Sequence, residues 1–180
     1  WQGEVFEEDE AVTVLLRLAR APESLECTPL SVENLTRQEC QRYQPFTAGK
    51  PLTLIFAGGD DFLIHAPREL LTAAIANLVR NACQYTLQGQ VTVHLSGRSL
   101  IVEDTGPGLP DAARARLLRQ PIPANLTGSS GTGLGLGLVQ RICHYLGATL
   151  AFSVRPGGGT VLRIDFIATS GVSHAGLTKT

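Results

Sequence analysis

None of the 180 residues is methionine; aromatic residues make up only 6% of the chain, and Lys, Arg, Asp and Glu together only 17%. Each scarcity excludes something. Lys and Arg number 15 against 16 Asp and Glu, a formal net charge of −1, and the signs are interspersed. That balance lacks the basic surplus that nucleic acid or an anionic membrane attracts, so no nucleic-acid partner is expected. No stretch approaches the roughly 18 apolar residues of a membrane span, and no signal peptide opens the chain. The four cysteines, Cys27, Cys40, Cys83 and Cys143, form no C-x-x-C pair. Widely spaced, and two of them inside apolar helical patterns, they read as buried free thiols of a reducing compartment rather than as disulfides or metal ligands. A chain without methionine is expected to be an excised piece of a longer protein. What is present is 43% hydrophobic residues, enough for one sizeable globular core.

Periodicity divides the chain as follows. Residues 4–20, acidic first and basic last, carry Val12, Leu15, Leu16 and Leu18 and read as the end of a helix. Pro22 marks a break. A short strand is expected near residues 26–30, and Ser31 caps a helix to about Tyr43. Residues 51–56 and 62–65 read as two strands of a hairpin turning at Gly58-Gly59-Asp60-Asp61. Pro67 opens a helix over 68–87. A hairpin over 90–103 turns at Gly97-Arg98, a short helix follows at 110–118, and 119–130 is an irregular polar segment. A helix over 134–146 and a hairpin over 149–167, turning at Pro156-Gly157-Gly158-Gly159, complete the pattern. Strand pairs interleaved with helices predict a two-layer α/β domain over residues 22–167, one mixed sheet covered on one face by helices. Residues 1–21 are then a helix end and linker, and 168–180 a flexible tail.

Three stretches carry chemistry. In Asn77-Leu78-Val79-Arg80-Asn81-Ala82, the two asparagines stand four apart and share one helix face. An amide oxygen there is a hard neutral ligand suited to Mg²⁺, which shares its remaining sites between waters and phosphates. Taken alone, the pair reads as readily as two amides on a solvated face. In Asp104-Thr105-Gly106-Pro107-Gly108-Leu109, an aspartate closes an apolar strand at a glycine-permitted turn. Alone this is a strand-to-helix turn; a buried carboxylate, however, only accepts hydrogen bonds and would select a ligand N–H such as the amino group of adenine. In Gly131-Thr132-Gly133-Leu134-Gly135-Leu136-Gly137, glycines alternate directly into a helix. Each costs roughly 0.5–1 kcal/mol inside a helix, but bare backbone lets the first-turn N–H groups and the helix dipole approach a phosphate. The ending is not that of a P-loop, and no strand precedes it as in a dinucleotide fingerprint.

In this order, at roughly 25-residue spacing, the three motifs closely resemble the catalytic domain of bacterial sensor histidine kinases, within a superfamily shared with gyrase and a heat-shock chaperone. The resemblance covers about residues 30–166. It implies a mixed, mostly antiparallel sheet of about five strands under about three helices. It implies ATP and Mg²⁺ as cofactors, with Asn81 coordinating the metal and Asn77 one turn before it, both counted as catalytic. By the same resemblance Tyr85 stacks beside adenine, Gln84 lies near the phosphates, and Asp104 accepts the adenine amine. Gly106, Gly108 and Leu109 shape the floor of the pocket. Gly131, Thr132, Gly133, Leu134, Gly135, Leu136 and Gly137 form hinge and phosphate cradle beneath a lid over 119–130, and Thr160 completes the nucleotide site.

Hydrolysing relatives carry glutamate where this chain has Asn77, and an amide cannot take a proton from water near neutral pH. Phosphotransfer to histidine, which needs mainly positioning and charge neutralisation, is therefore favoured over hydrolysis. The chain departs from the family at Gln84, where a basic residue is usual, and in having no aromatic residue between Leu109 and Gly131; Arg114, Arg116 or Arg119 could supply charge. Weak ATP binding is expected. His65, His94, His144 and His174 all lack the phosphoacceptor context, so the acceptor histidine belongs to a dimerisation and phosphotransfer hairpin ending in residues 4–20. The resemblance further implies a downstream response-regulator receiver domain and a homodimeric parent anchored in the inner membrane, with this domain cytoplasmic and monomeric alone. An anti-sigma-type serine/threonine kinase and a non-catalytic nucleotide-sensing module are the alternatives.

Overall fold

The structure, a computed structural model, describes residues 26–106 and 134–167 together with Thr13, Leu16 and Arg20, which are helical. Seven strands and three helices alternate: β1 (Thr28–Ser31), α1 (Val32–Thr47), β2 (Leu52–Gly59), β3 (Leu63–Ala66), α2 (Arg68–Tyr85), β4 (Gly89–Ser96), β5 (Ser99–Asp104), α3 (Leu134–Leu146), β6 (Thr149–Val154) and β7 (Thr160–Asp165). The expected helix at 110–118, the lid at 119–130 and the tail at 168–180 lie outside the described residues.

Five strands form one sheet in the order β2-β4-β5-β7-β6. Only β2 and β4 run parallel; the other three pairings are antiparallel. Register sorts the side chains into faces, because directly paired residues point the same way and neighbours along a strand alternate. Phe56, Val93, Val102, Leu162 and Phe152 form one inward row, and Leu95, Leu100, Ile164 and Leu150 another. Outward rows are mixed and carry the charged side chains: His94 Nε2 stands 3.8 Å from a Glu103 oxygen and Arg163 Nε 2.6 Å from Asp165. That asymmetry is why helices cover one face only.

The helix layer is centred on α2, which packs against both α1 and α3. Its Leu70, Leu71, Ala74, Ile75, Leu78 and Val79 are buried, an i, i+3/i+4 stripe that meets the inward rows. From α3, Leu136, Leu138, Val139, Ile142 and Cys143 join the same core. All four cysteines are free thiols. Burial pushes the Cys40 and Cys143 thiols up to about 12 and Cys83 to about 11.

The hairpin expected between residues 51–56 and 62–65 does not form. Strand β2 continues through Gly59 and pairs with β4, while β3 pairs with β1 in a separate two-stranded sheet. Gly58 (φ +73°) and Gly59 (φ +126°) make a bulge rather than a reversal. Gly59 is pressed so closely on β4 that a Cβ there would stand 1.9 Å from the Leu95 carbonyl oxygen. The two aspartates that read as turn formers act as tethers. Asp61 accepts hydrogen bonds from the Ser31 hydroxyl (2.8 Å) and the Glu33 N–H (3.2 Å) at the start of α1, and Asp60 accepts the Gly97 N–H (2.9 Å). Helix α1 also runs past Tyr43 through Pro45. It does so in its last turn, where the Gln44 side chain donates to the Leu54 carbonyl (2.7 Å) and covers part of the β2 edge.

Gly159 shows the same close packing next to the strand end that matters most. Its φ is +110°, and a Cβ would lie 1.9 Å from the Asp104 carbonyl oxygen. Gly157 also has positive φ (+85°) but opens on empty space. We expect Gly159→Ala to cost roughly 2–4 kcal/mol and Gly157→Ala about 1–2 kcal/mol. Urea unfolding midpoints at unchanged slope check the order; equal losses would place the cost in backbone conformation alone.

Candidate functional site

The fold carries Asp104 to the inner face of the sheet. It ends β5 in register with Val91 on one side and Thr160 on the other. Both neighbours are buried, and Asp104 itself is 7% exposed. Its carboxylate accepts the Gly106 N–H at 2.9 Å. Burial raises its pKa above the ordinary carboxylate value; the Gly106 and Thr160 N–H groups, the Arg155 charge and the neighbouring Thr86 hydroxyl pull the other way without cancelling it. Thr86 adjoins the carboxylate closely enough to favour its charge. The Thr86 Oγ1 is fully buried there.

Gly106 closes this corner. A Cβ there would stand 3.1 Å from the Asp104 Oδ1, 3.1 Å from the Thr86 Oγ1 and 3.3 Å from the Thr86 Cα. These are tighter than ordinary Cβ contacts, so a side chain here would press on the Thr86 hydroxyl and the carboxylate, and bare backbone lets the three pack together. Thr105 is stitched in place from below: its N–H donates to the Gln90 carbonyl (3.1 Å) and its hydroxyl accepts the Gln90 N–H (2.9 Å).

Helix α2 reaches the same corner. Thr86 follows its last turn and donates its N–H to the Ala82 carbonyl (3.0 Å). With a rise of 1.5 Å per residue, Asn81 lies roughly 7–8 Å back along the axis and Asn77 about 6 Å further. The two amides differ. Asn77, 8% exposed, is engaged at both ends: its Nδ2 donates to the Ala73 carbonyl (2.7 Å) and its Oδ1 accepts from Arg80 (2.9 Å). Asn81, 4% exposed, has an Nδ2 with no partner among the described residues. The Asn81 amide nitrogen is thus uncommitted, unlike Asn77, whose nitrogen and oxygen are both engaged.

A neutral amide oxygen fits Mg²⁺ in the way this ion is usually held, one or two protein ligands with the rest waters and phosphates. Among the described residues no cluster of three His, Cys, Asp or Glu side chains could hold a metal by itself.

Of the other expected site residues, Gln84 is exposed on α2 and Thr160 is buried beside Asp104. Leu134 and Gly135 form the first turn of α3. Leu136 is 3% exposed and belongs to the core, so only its backbone is free to meet a ligand. Tyr85 closes α2. Gly108, Leu109, Gly131, Thr132 and Gly133 lie outside the described residues. Thr86, Arg80 and Gly159 were not singled out by sequence; the G-G-G-T run before β7 hinted only at the last.

Residues 66–169 match the family described as histidine kinase-, DNA gyrase B-, and HSP90-like ATPases. Curated relatives include the virulence sensor protein BvgS of Bordetella bronchiseptica, 33% identical over 127 residues covering 62% of this chain. The histidine protein kinase DivJ of Caulobacter vibrioides is 34% identical over 133 residues, 68% of the chain. The chain spans only 10% of the first and 22% of the second. Among solved structures, the cytoplasmic segment of histidine kinase QseC superposes with a TM-score of 0.69 at 19% identity, covering 89% of this chain and 94% of that one. ShkA, solved full-length in complex with AMPPNP, gives 0.68 at 26% identity over 89% of this chain and 36% of its own.

The raised pKa of Asp104 has a signed consequence. A carboxylate penalised by burial favours the folded state when protonated. Its contribution is therefore complete below the unfolded value of 3.8 and is lost as pH rises through the higher folded value. We expect Asp104→Asn to gain stability relative to the wild type as pH rises across that window. Paired urea titrations at stepped pH test this; parallel curves would show that burial leaves Asp104 unperturbed.

Proposed function

Because the chain belongs to the family of histidine kinase-, DNA gyrase B-, and HSP90-like ATPases, we propose that it binds Mg-ATP and transfers the γ-phosphoryl group to a histidine on a separate phosphoacceptor hairpin. The observation that carries this reading is the buried carboxylate of Asp104, which ends β5 beside Thr86 at the end of α2, the helix that also bears Asn81 with its amide nitrogen unpartnered among the described residues. Asp104 accepts the exocyclic amine of adenine. Asn81 holds the metal, which when bound neutralises phosphate charge. The first turn of α3, beginning at Leu134, offers backbone N–H groups and a helix dipole to the phosphates. AMPPNP, which ShkA binds, is an ATP analogue and supports the same ligand class here.

Asn77 favours transfer over hydrolysis. Its amide cannot take a proton from water, and Arg80 occupies its oxygen. Transfer needs the acceptor imidazole in line with the γ-phosphorus: a nitrogen–phosphorus bond forms, the bond to the bridging oxygen breaks, and ADP leaves. The acceptor, a dimerisation and phosphotransfer domain, and a downstream receiver domain belong to the two-component setting of relatives named as sensor kinases. In that setting the parent is a homodimer anchored in the inner membrane with this domain on the cytoplasmic side. Among the described residues no helix is long and apolar enough to cross a membrane.

Titration with a fluorescent ATP analogue tests the site. Asp104→Ala should lose at least about tenfold in affinity, and Asn81→Ala should lose the Mg²⁺ dependence. Unchanged affinity in Asp104→Ala overturns the reading. With a phosphoacceptor hairpin supplied, the labelled product should be acid-labile; an acid-stable product would favour a serine/threonine kinase instead.

A further inference from the structure

The turn between β6 and β7 carries a charge that the site as drawn does not use. Arg155 opens it: its N–H donates to the Gly159 carbonyl (3.0 Å), and its own carbonyl accepts the Gly158 N–H (3.0 Å). Gly159 in turn is pressed on the Asp104 backbone, where a Cβ would meet the carbonyl oxygen at 1.9 Å. Register agrees, since Asp104 pairs with Thr160, and Thr160 with Val154, the residue before Arg155. Turn and strand end are locked together, so the Arg155 backbone keeps a fixed place relative to the carboxylate.

Arg155 is half-buried, and its guanidinium forms no hydrogen bond or ion pair among the described residues. Its charge is nevertheless felt at Asp104. Burial raises that carboxyl above its ordinary value; the Gly106 and Thr160 N–H groups and the Thr86 hydroxyl oppose the rise by contact, Arg155 by charge alone. The neighbours Val91 on β4, Thr160 on β7 and Thr86 after α2 carry no charge, and Glu103 and His94 lie on the opposite face of the sheet. Asp165 shows the alternative arrangement. Arg163 Nε stands 2.6 Å from its Oδ1, and the Ser99 hydroxyl donates to the same oxygen, which is thereby occupied. A direct pair favours a carboxylate's charge and uses up its lone pairs; a charge held off favours it and leaves them free.

We propose that Arg155 is a positioning residue of the nucleotide site, a counter-charge that keeps Asp104 ionised without touching it, so that the carboxylate oxygens stay open to a ligand N–H. This rests on the reading that Asp104 accepts the adenine amine. Only the ionised carboxylate is purely an acceptor; once protonated it would turn its own O–H toward that amine.

Two measurements on the full chain test the assignment. Carboxyl-carbon NMR follows the titration of Asp104 in the free protein. Without the positive charge the ionised form is less favoured, so the midpoint should move up in Arg155→Gln and stay at the wild-type position in Arg155→Lys. The fluorescent ATP analogue is then titrated from mildly acidic pH to about pH 8. Arg155→Gln should agree with wild type within about twofold at the alkaline end and fall at least about threefold behind at the acidic end, while Arg155→Lys follows wild type throughout. An unmoved midpoint in Arg155→Gln overturns the assignment. So does an affinity loss by the same factor at every pH, which would mark a direct ligand contact or a structural role. Asp104→Ala separates the two levels. If it binds the analogue as well as wild type, the adenine reading fails and takes this role with it; if it loses binding while the midpoint is unmoved in Arg155→Gln, only the assignment of Arg155 fails.

Discussion

A carboxylate set into an otherwise apolar inward row governs the architecture around it. Strand alternation leaves β5 no choice. With Leu100 and Val102 packed against the helices, Asp104 must face the same way and Glu103 must face out toward His94. A slip of one residue would exchange them and expose the core. Removing charge from water is expensive, and the raised pKa records what remains after compensation. Compensation comes from backbone, and backbone donors reach a buried side chain only where neighbours are bare. Gly106 supplies its own N–H, and Gly159 lets the start of β7 press against the end of β5.

The helix layer answers a second demand, packing α3 against α2 over the same sheet. The leucines of α3 do the anchoring: Leu136, Val139 and Cys143 fall on one stripe and Leu138 and Ile142 on the next, all buried. Gly135 and Gly137 alternate with them and add no side chain to the first turn. The glycines that cost helix stability therefore sit where an anion would need access to N–H groups. On the proposed reading, core and phosphate contact are interleaved in the start of α3, so substitutions there would affect both.

What was legible in the sequence follows the reach of each signal. Helix α2, the β4–β5 and β6–β7 hairpins and α3 were readable because their periodicity is local and strong. The burial of Asp104 at its strand end and the placement of Asn77 and Asn81 on α2 were readable because their motifs pair a polar side chain with an apolar strand or with helical spacing. The β2–β3 connection was misread because Gly58-Gly59-Asp60-Asp61 has the composition of a turn. Those residues instead serve partners 28 to 37 positions away in the chain, Glu33 and Gly97 among them. Local composition cannot tell a glycine that reverses the chain from one that lets a neighbouring strand approach. Thr86 was invisible for a related reason: a threonine after an aromatic carries no pattern, and only its packing against Asp104 and Gly106 in the fold singles it out.

The two asparagines look equivalent in sequence and are not equivalent in the fold. Asn77 is closed on its own helix, its nitrogen on Ala73 and its oxygen on Arg80, whereas the Asn81 amide nitrogen is unclaimed among the described residues. Arg80, the residue directly before Asn81, fixes the first amide through its guanidinium. This arrangement bears on the proposed preference for transfer over hydrolysis. Even a carboxylate at position 77 would meet a permanently charged guanidinium at hydrogen-bonding distance, and a carboxylate so paired is a weaker base. The bias against activating water therefore does not rest on the amide alone; it is shared between Asn77 and the arginine three residues on.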